Sequence, residues 1–226
     1  MENILDNPAW NALVSGNKHL GGGTDKVKYF TPEVSPFVAL HQNTAQNLHL
    51  LDAAIPFDSP IGLITTTQLP IPDSWTLLQR VDGLQMVYDS VTEKPQTSLP
   101  IRPLTSADVP DMIALTQLTR PGPFSTRTIE FGHYEGIVDE GKLIAMSGQR
   151  LNPFSYAEVS AVCTHPDHLG KGYARQLISN QLYRIQQSEG IPFLHVRSDN
   201  KRAIQLYEAM NFTVRTEIYF YFIKRK

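Results

Sequence analysis

Residues 158–174 read Glu-Val-Ser-Ala-Val-Cys-Thr-His-Pro-Asp-His-Leu-Gly-Lys-Gly-Tyr-Ala. An apolar, strand-like run ends there in two glycines, Gly170 and Gly172, one residue apart. Glycine lets a backbone turn sharply and approach a ligand with no Cβ in the way. Ala174, Leu177, Ile178, Gln181, Leu182 and Ile185 then recur at helical spacing, all apolar but Gln181, so the loop opens a helix. The first turn of that helix presents unpaired N–H groups and the positive end of its dipole, and an anion such as a pyrophosphate is the occupant that suits it. A glycine pair before a helix is also an ordinary turn, so the loop alone leaves both readings open.

The elements that position this loop follow from the flanking pattern. Gly190 and Pro192 punctuate the chain after the helix, and Phe193-Leu194-His195-Val196 reads as a short buried strand. Ser198-Asp199-Asn200 offers caps for a second helix, whose Ala203, Ile204, Tyr207 and Met210 share a face. Asn211 suits a left-handed helix end, and the runs 212–215 and 217–223 are rich in β-branched and aromatic residues, as strands are.

Upstream, Ile101-Arg102-Pro103-Leu104 predicts a strand and residues 106–119 a helix. Pro110 must lie in that helix's first turn, with Ser106 or Asp108 as its cap. Residues 134–138 and 143–151 bracket the turn Asp139-Glu140-Gly141-Lys142 as a hairpin. Asn152-Pro153 then turns into the strand that carries Glu158.

In this order the C-terminal part resembles the GNAT superfamily of N-acyltransferases, in particular the subgroup that includes the C-terminal domain of glycine N-acyltransferase-like proteins. The family's acyl-CoA loop, Gln/Arg-x-x-Gly-x-Gly/Ala, is matched by Leu169-Gly170-Lys171-Gly172-Tyr173-Ala174. A second signature, Asn-x-x-Ala-x-x-Leu-Tyr followed by Gly-Phe, is matched by Asn200, Ala203, Leu206, Tyr207 and Phe212. Leu169 stands where Gln or Arg is usual, and Asn211 where Gly is usual. Neither departure removes the backbone N–H groups that are the main anion donors of such a loop.

The resemblance covers residues 99–226 and implies an α/β (α+β type) fold: a mixed, twisted and splayed sheet with helices on both faces, preceded by a smaller α/β N-terminal region. It implies acyl transfer, most simply of acetyl from acetyl-CoA or another acyl-CoA to a primary amine of a small molecule or amino acid, by direct attack in a ternary complex. Such a reaction must take a proton from the ammonium and benefits from giving one to the thiolate. The family's catalytic glutamate corresponds to Glu158, whose carboxyl burial would raise toward neutrality; a structural ion pair is the other reading. The family's tyrosine near the sulfur corresponds to Tyr207, a proton donor with an ordinary pKa near 10 or a plain core aromatic.

The same resemblance assigns the pantetheine arm to Val162, Cys163 and Thr164, as a short β-like addition where the strand splays at a bulge. Leu169, Gly170, Lys171, Gly172, Tyr173 and Ala174 fall at the phosphates and Asn200 beside coenzyme A, although Asn200 also suffices as a helix cap and Lys171 as a solvated loop residue. The acceptor amine is expected over residues 119–134, with Phe124, Arg127, Glu130 and Tyr134 as candidates and Arg127 as a clamp for an acceptor carboxylate. Cys163 raises an acyl-cysteine route, but a lone cysteine in an apolar strand is more often a small core residue. His165 and His168 lack a third ligand at suitable spacing, and no metal is expected.

Whole-chain properties fit this reading. The 226 residues carry 20 Lys+Arg against 22 Asp+Glu, so there is no global basic field for nucleic acid or an anionic membrane. One cysteine excludes an internal disulfide and suits a reducing compartment. Met1-Glu2-Asn3 lacks the start of a signal peptide, no run reaches the ~20 apolar residues of a spanning helix, and a cytoplasmic location is expected. The polar, two-proline stretch 89–98 reads as a linker, dividing an N-terminal α/β region, 1–98, from an acyltransferase domain, 99–226. Within the first, 9–13 and 43–54 read as helices and 63–67 and 75–88 as strands; a degenerate partial copy of the acyltransferase fold is what members of the resembled subgroup often carry there. A homodimer is left open. A non-catalytic module that binds coenzyme A as sensor or scaffold is the competing class, and the joint presence of Glu158 and Tyr207 favours the enzyme.

Overall fold

The computed structural model describes residues 3–96 and 99–226. Residues 97 and 98, part of the expected linker, and Met1 and Glu2 of the expected leaderless start lie outside the described residues. The chain opens with helix α1 (Pro8–Leu13), which places proline in its first turn, where the missing N–H is no loss. Its Ala9, Trp10, Ala12 and Leu13 pack on a small antiparallel sheet of β1 (Gly21–Gly23), β2 (Val27–Phe30) and β3 (Val38–Leu40). The expected helix over 43–54 is a single 3-10 turn, Ala45–Asn47, followed by the short α2 (Leu50–Ala54).

The next two strands, β4 (Ile61–Thr65) and β5 (Trp75–Tyr88), do not join the small sheet. They enter an eight-stranded sheet with β6 (Ile101–Pro103), β7 (Glu135–Asp139), β8 (Lys142–Gln149), β9 (Tyr156–Thr164), β10 (Ile191–Arg197) and β11 (Phe212–Arg225), in the order β4-β11-β5-β10-β9-β8-β7-β6. β5 thus lies between β10 and β11, antiparallel to both. The two terminal runs expected as separate strands form the single β11, interrupted by a bulge between Val214 and Thr216. That bulge frees Arg215 from the ladder, and its guanidinium turns to Gln85 and Asp6.

Three helices cover the large sheet: α3 (Val109–Thr119), α4 (Tyr173–Gln187) and α5 (Lys201–Glu208). The expected helix over 106–119 begins as a 3-10 turn, and Thr105 rather than Ser106 starts it: the Asp108 carboxylate accepts the Thr105 N–H at 2.7 Å. α4 buries Leu177, Ile178, Leu182 and Ile185, each worth about 1.5–3 kcal/mol on full burial. Gln181 is equally buried because its amide donates to the His133 carbonyl and its carbonyl accepts from Gln149, which removes the penalty for a polar group inside. Asn200 caps α5 by accepting from Ala203 N–H at 3.1 Å, and Asn211 adopts the left-handed conformation (φ 66°) that turns the chain into β11.

β9 and β10 form the sheet's one parallel pair, and their pairing covers only Tyr156–Glu158 against Ile191–Phe193. Beyond Glu158 the strands part, β9 staying with β8 and β10 with β5. At the opening β9 bulges: Ala161 takes φ 52°, and the register to β8 slips between Met146 and Gly148, so that two residues of β9 face Ser147 alone. The expected mixed, splayed sheet with helices on its faces is the one found.

Candidate active site

The splay leaves cavities on either side of β9. The first, of about 370 Å³, lies between the C-terminal end of β9 and the starts of α4 and α5. Val162, Cys163, Thr164, Leu169, Gly170, Lys171, Gly172, Tyr173, Ala174, Asn200 and Tyr207 all line it. Gly170 and Gly172 have φ of 79° and 78°, and a Cβ built on either meets nothing within 4 Å. Their backbones therefore face open space at the N-terminus of a 15-residue helix.

The walls of this cavity carry positive charge and no carboxylate. Lys171, Arg175 and Arg202 line it, with His168 beside Lys171 at 3.3 Å. The hydroxyl of Thr164 is buried without a hydrogen-bond partner among the described residues, an acceptor and donor that a polar ligand arm would satisfy. These features fit an elongated ligand with phosphates at one end and amides along its length. Arg175 and Arg202 line the cavity without having been singled out by the sequence, whereas His168, Ala203 and Leu206, noted there for other reasons, line it too. Arg202 shares with Ala203 and Leu206 the α5 face that carries Tyr207, so helical spacing from Tyr207 was the available signal.

Tyr207 is almost wholly buried, its ring edge-on to Phe212 at 5.8 Å. Its hydroxyl makes no hydrogen bond among the described residues, and burial pushes its pKa up to about 12. Cys163 is buried in the same wall, and burial likewise raises its thiol to about 12. A thiol so protonated is a poor nucleophile at neutral pH, as a core cysteine would be.

Glu158 is found in different surroundings from those expected. It is 1% exposed and sits at the base of the splay. Burial raises its carboxyl, but the Arg150 guanidinium and the His195 imidazole outweigh burial and hold the pKa down at about 2. Four donors converge on the carboxylate: Arg150 Nε at 2.9 Å and Nη2 at 2.5 Å, His195 Nδ1 at 2.8 Å and the Leu151 N–H at 3.3 Å. The expected shift toward neutrality is thus reversed, because the cation that neutralises the site comes from β8's end, eight residues upstream, where no local spacing reveals it.

The network continues. The Gln85 amide donates to His195 Nε2 at 3.0 Å and to the Leu5 carbonyl at 2.9 Å, while its carbonyl accepts from Arg215, which also reaches Asp6 at 2.7 Å. Because arginine can only donate, the other end of Gln85 must be its nitrogen, so His195 accepts at Nε2 and carries its proton on Nδ1.

The second cavity, about 830 Å³, lies on the β10–β5–β11 side under the end of α3. Phe37, Phe124, Phe220 and Phe222 line it, with Thr116, Gln117, Gln79, His195 and the arginines Arg120, Arg150 and Arg197. A small pocket that shares Phe124 and Arg150 with it is closed by Tyr134, Ser160 and Ala161. The second cavity therefore approaches the β9 bulge from one side and the first cavity, beginning at Val162, from the other. Of the residues expected at the acceptor, Phe124 and Tyr134 are here, their rings edge-on at 5.7 Å. Burial pushes the Tyr134 phenol well above its ordinary range. Arg127 and Glu130 instead pair with each other at the surface, at 2.6 and 2.8 Å, and line neither cavity.

Comparison with known proteins bears on the same region. Residues 134–221 match the family described as FR47-like protein. Over 84 residues, 35% of this chain, the sequence is 33% identical to N-alpha-acetyltransferase RimI of Mycobacterium tuberculosis, and the match spans 51% of that relative. The whole chain is similar to the crystal structure of a protein from Novosphingobium aromaticivorans assigned to the GNAT family as an acetyltransferase, with 29% identity, a TM-score of 0.91 and all of both chains covered. A GCN5-related N-acetyltransferase from Kribbella flavida shares the fold at 10% identity, with a TM-score of 0.64 over 96% of this chain and 95% of its own.

Proposed function

We propose that this chain is a member of the GNAT acetyltransferase superfamily and that it transfers an acetyl group from acetyl-CoA to a primary amine of a small molecule or amino acid within a ternary complex. The observation that carries this reading is the placing of two cavities by the splayed β9: one is cationic, with a glycine cradle and Tyr207, and the other is aromatic-walled and adjoins a small pocket at Ser160 and Ala161 of the bulge. When bound, acetyl-CoA would supply the activated acyl group. The chain's own residues hold it, aim it and manage protons.

Main-chain N–H groups around Gly170 and Gly172 hold the pyrophosphate, with Lys171, Arg175 and Arg202 adding charge. Val162 to Thr164 hold the pantetheine arm by backbone pairing, and the free amide nitrogen of Asn200 is available beside it. Tyr207 stays protonated at neutral pH and donates to the departing sulfur. Glu158 acts as a positioning residue rather than a base: ionised and holding four donors, it fixes Arg150 and His195 at the acceptor side. No aspartate or glutamate lines either cavity and both ring nitrogens of His195 are engaged, by Glu158 and Gln85, so the ammonium gives its proton to solvent before it attacks.

The test is thiol release from acetyl-CoA by the full chain across a panel of amines, paired with calorimetry of coenzyme A binding. Amine-dependent release with binding is the expected result. Binding without release from any amine would make the chain a coenzyme A sensor or scaffold, and absence of binding to native protein would overturn the reading altogether.

A further inference from the structure

Transfer to an amine does not by itself call for arginines around the acceptor, yet the larger cavity is lined by Arg120, Arg150 and Arg197 and by no aspartate or glutamate. A site for a free polyamine would be built the other way round, since cations buried together repel. Arg197 is occupied by Asp199, at 2.7 and 3.0 Å. Arg120 ends α3 in the left-handed conformation, φ 52°, and has no carboxylate partner among the described residues.

Arg150 is the more telling group. Its Nε and Nη2 are spent on Glu158, and its guanidinium lies 5.0 Å from the centre of the Phe37 ring. No described group accepts from its Nη1, which faces the Pro121–Phe124 loop, 4.0 Å from where a Cβ on Gly122 would stand. A guanidinium engaged along one edge keeps a second, Nη1–Nη2 edge, and that fork matches a planar carboxylate. Phe37, Phe124, Phe220 and Phe222 supply the remaining walls.

Resting on the acyl-transfer reading of this site, we propose that the acceptor amine carries a carboxylate and an apolar body: the carboxylate lies on the free edge of Arg150 with Arg120 alongside, and the body lies against the phenylalanines. Glu158 then serves specificity, because it pins the guanidinium so that the outer edge is presented.

Two measurements on the full chain separate this inference from the reading beneath it. Calorimetry compares 3-phenylpropanoate with 3-phenylpropanol, neither of which can be acetylated on nitrogen; the carboxylate should bind about 10- to 100-fold more tightly, the worth of one charge-assisted pair. Thiol release compares L-phenylalanine with phenethylamine, and kcat/KM should favour the carboxylated amine by a similar factor. Arg120→Met, at an exposed position that folding does not depend on, should narrow both ratios. Equal binding of acid and alcohol, or faster turnover of phenethylamine, overturns the inference while acetyl transfer stands. A carboxylate preference in binding with no thiol release from either amine supports the anion subsite and sinks the transfer reading.

Discussion

Glu158 Oε1 and His195 Nδ1 lie 2.8 Å apart on neighbouring strands, Glu158 in the last register at which those strands pair and His195 just beyond it. Their hydrogen bond closes the base of the splay where backbone pairing stops. Since His195 is tied through Gln85 to Leu5, and Gln85 through Arg215 to Asp6, the first residues of the chain hold the floor of the candidate active site.

Removing one partner of a buried, hydrogen-bonded ion pair typically costs about 3–5 kcal/mol, so Glu158→Gln should destabilise the fold by that order in urea unfolding at pH 7. The double variant R150M/E158M should recover part of the loss. The sign with pH follows from the depressed pKa of about 2 against an unfolded value near 4.3: the contribution is fully present above about pH 4.3 and is lost as the pH falls toward 2. The gap in urea midpoint between wild type and E158Q should therefore shrink across that window and stay constant from pH 5 to 8.

Glu158 remains ionised throughout the neutral range and no carboxylate lines the larger cavity. With an amine of pKa near 9 to 10, kcat/KM should accordingly climb with pH along the amine's own ionisation, with no plateau beginning near pH 7. Amines of graded pKa check this directly: the inflection should move with the amine. An inflection fixed near 7 for all of them would mean that a protein group takes the proton.

Tyr207→Phe removes only a hydroxyl that has no partner among the described residues, so folding should change little. The maximal rate should fall about 10²-fold or more, the usual worth of a general acid, while the Kd for acetyl-CoA shifts by less than about twofold. Because the phenol's pKa is about 12, the wild-type profile should show no alkaline loss attributable to it below pH 10. A weakened Kd with unchanged turnover would contradict the assignment.

Gly172→Val places a branched side chain at φ 78°, a conformation that costs an L-residue about 1–2 kcal/mol. Nothing lies within 4 Å of a Cβ built there, so the side chain has room in the wall of the cavity that Gly172 lines. The Kd for coenzyme A should weaken by tenfold or more, whereas dephosphorylated pantetheine, which lacks the pyrophosphate, should be affected far less.

The parts of this architecture that announce themselves in sequence are local. The glycine loop, the α4 stripe and the Asn200 cap are encoded by residues within a turn or two of one another, and the structure has them where the periodicity implies. What could not be read is what the chain brings together from afar. Arg150 carries no motif, yet it decides the ionisation of Glu158. Arg127 sits in the stretch expected over the acceptor, yet Glu130 three residues on engages it, a spacing at which adjacent side chains meet whatever the tertiary fold. The strand character of residues 75–88 is plain in the sequence, but its place between β10 and β11 is a matter of pairing over more than a hundred residues, for which alternation of side chains gives no address.

That interleaving governs the order in which the molecule can be made. β5 leaves the ribosome long before either of its neighbours exists, and synthesis proceeds at about 5–20 residues per second, so for several seconds it waits with both ladder edges bare. The half-built sheet cannot close until β11, at the far end of the chain, has emerged and docked on it. Such non-local closure is slow, and the nascent chain during that interval is the form in which this protein is most exposed to chaperones and to aggregation.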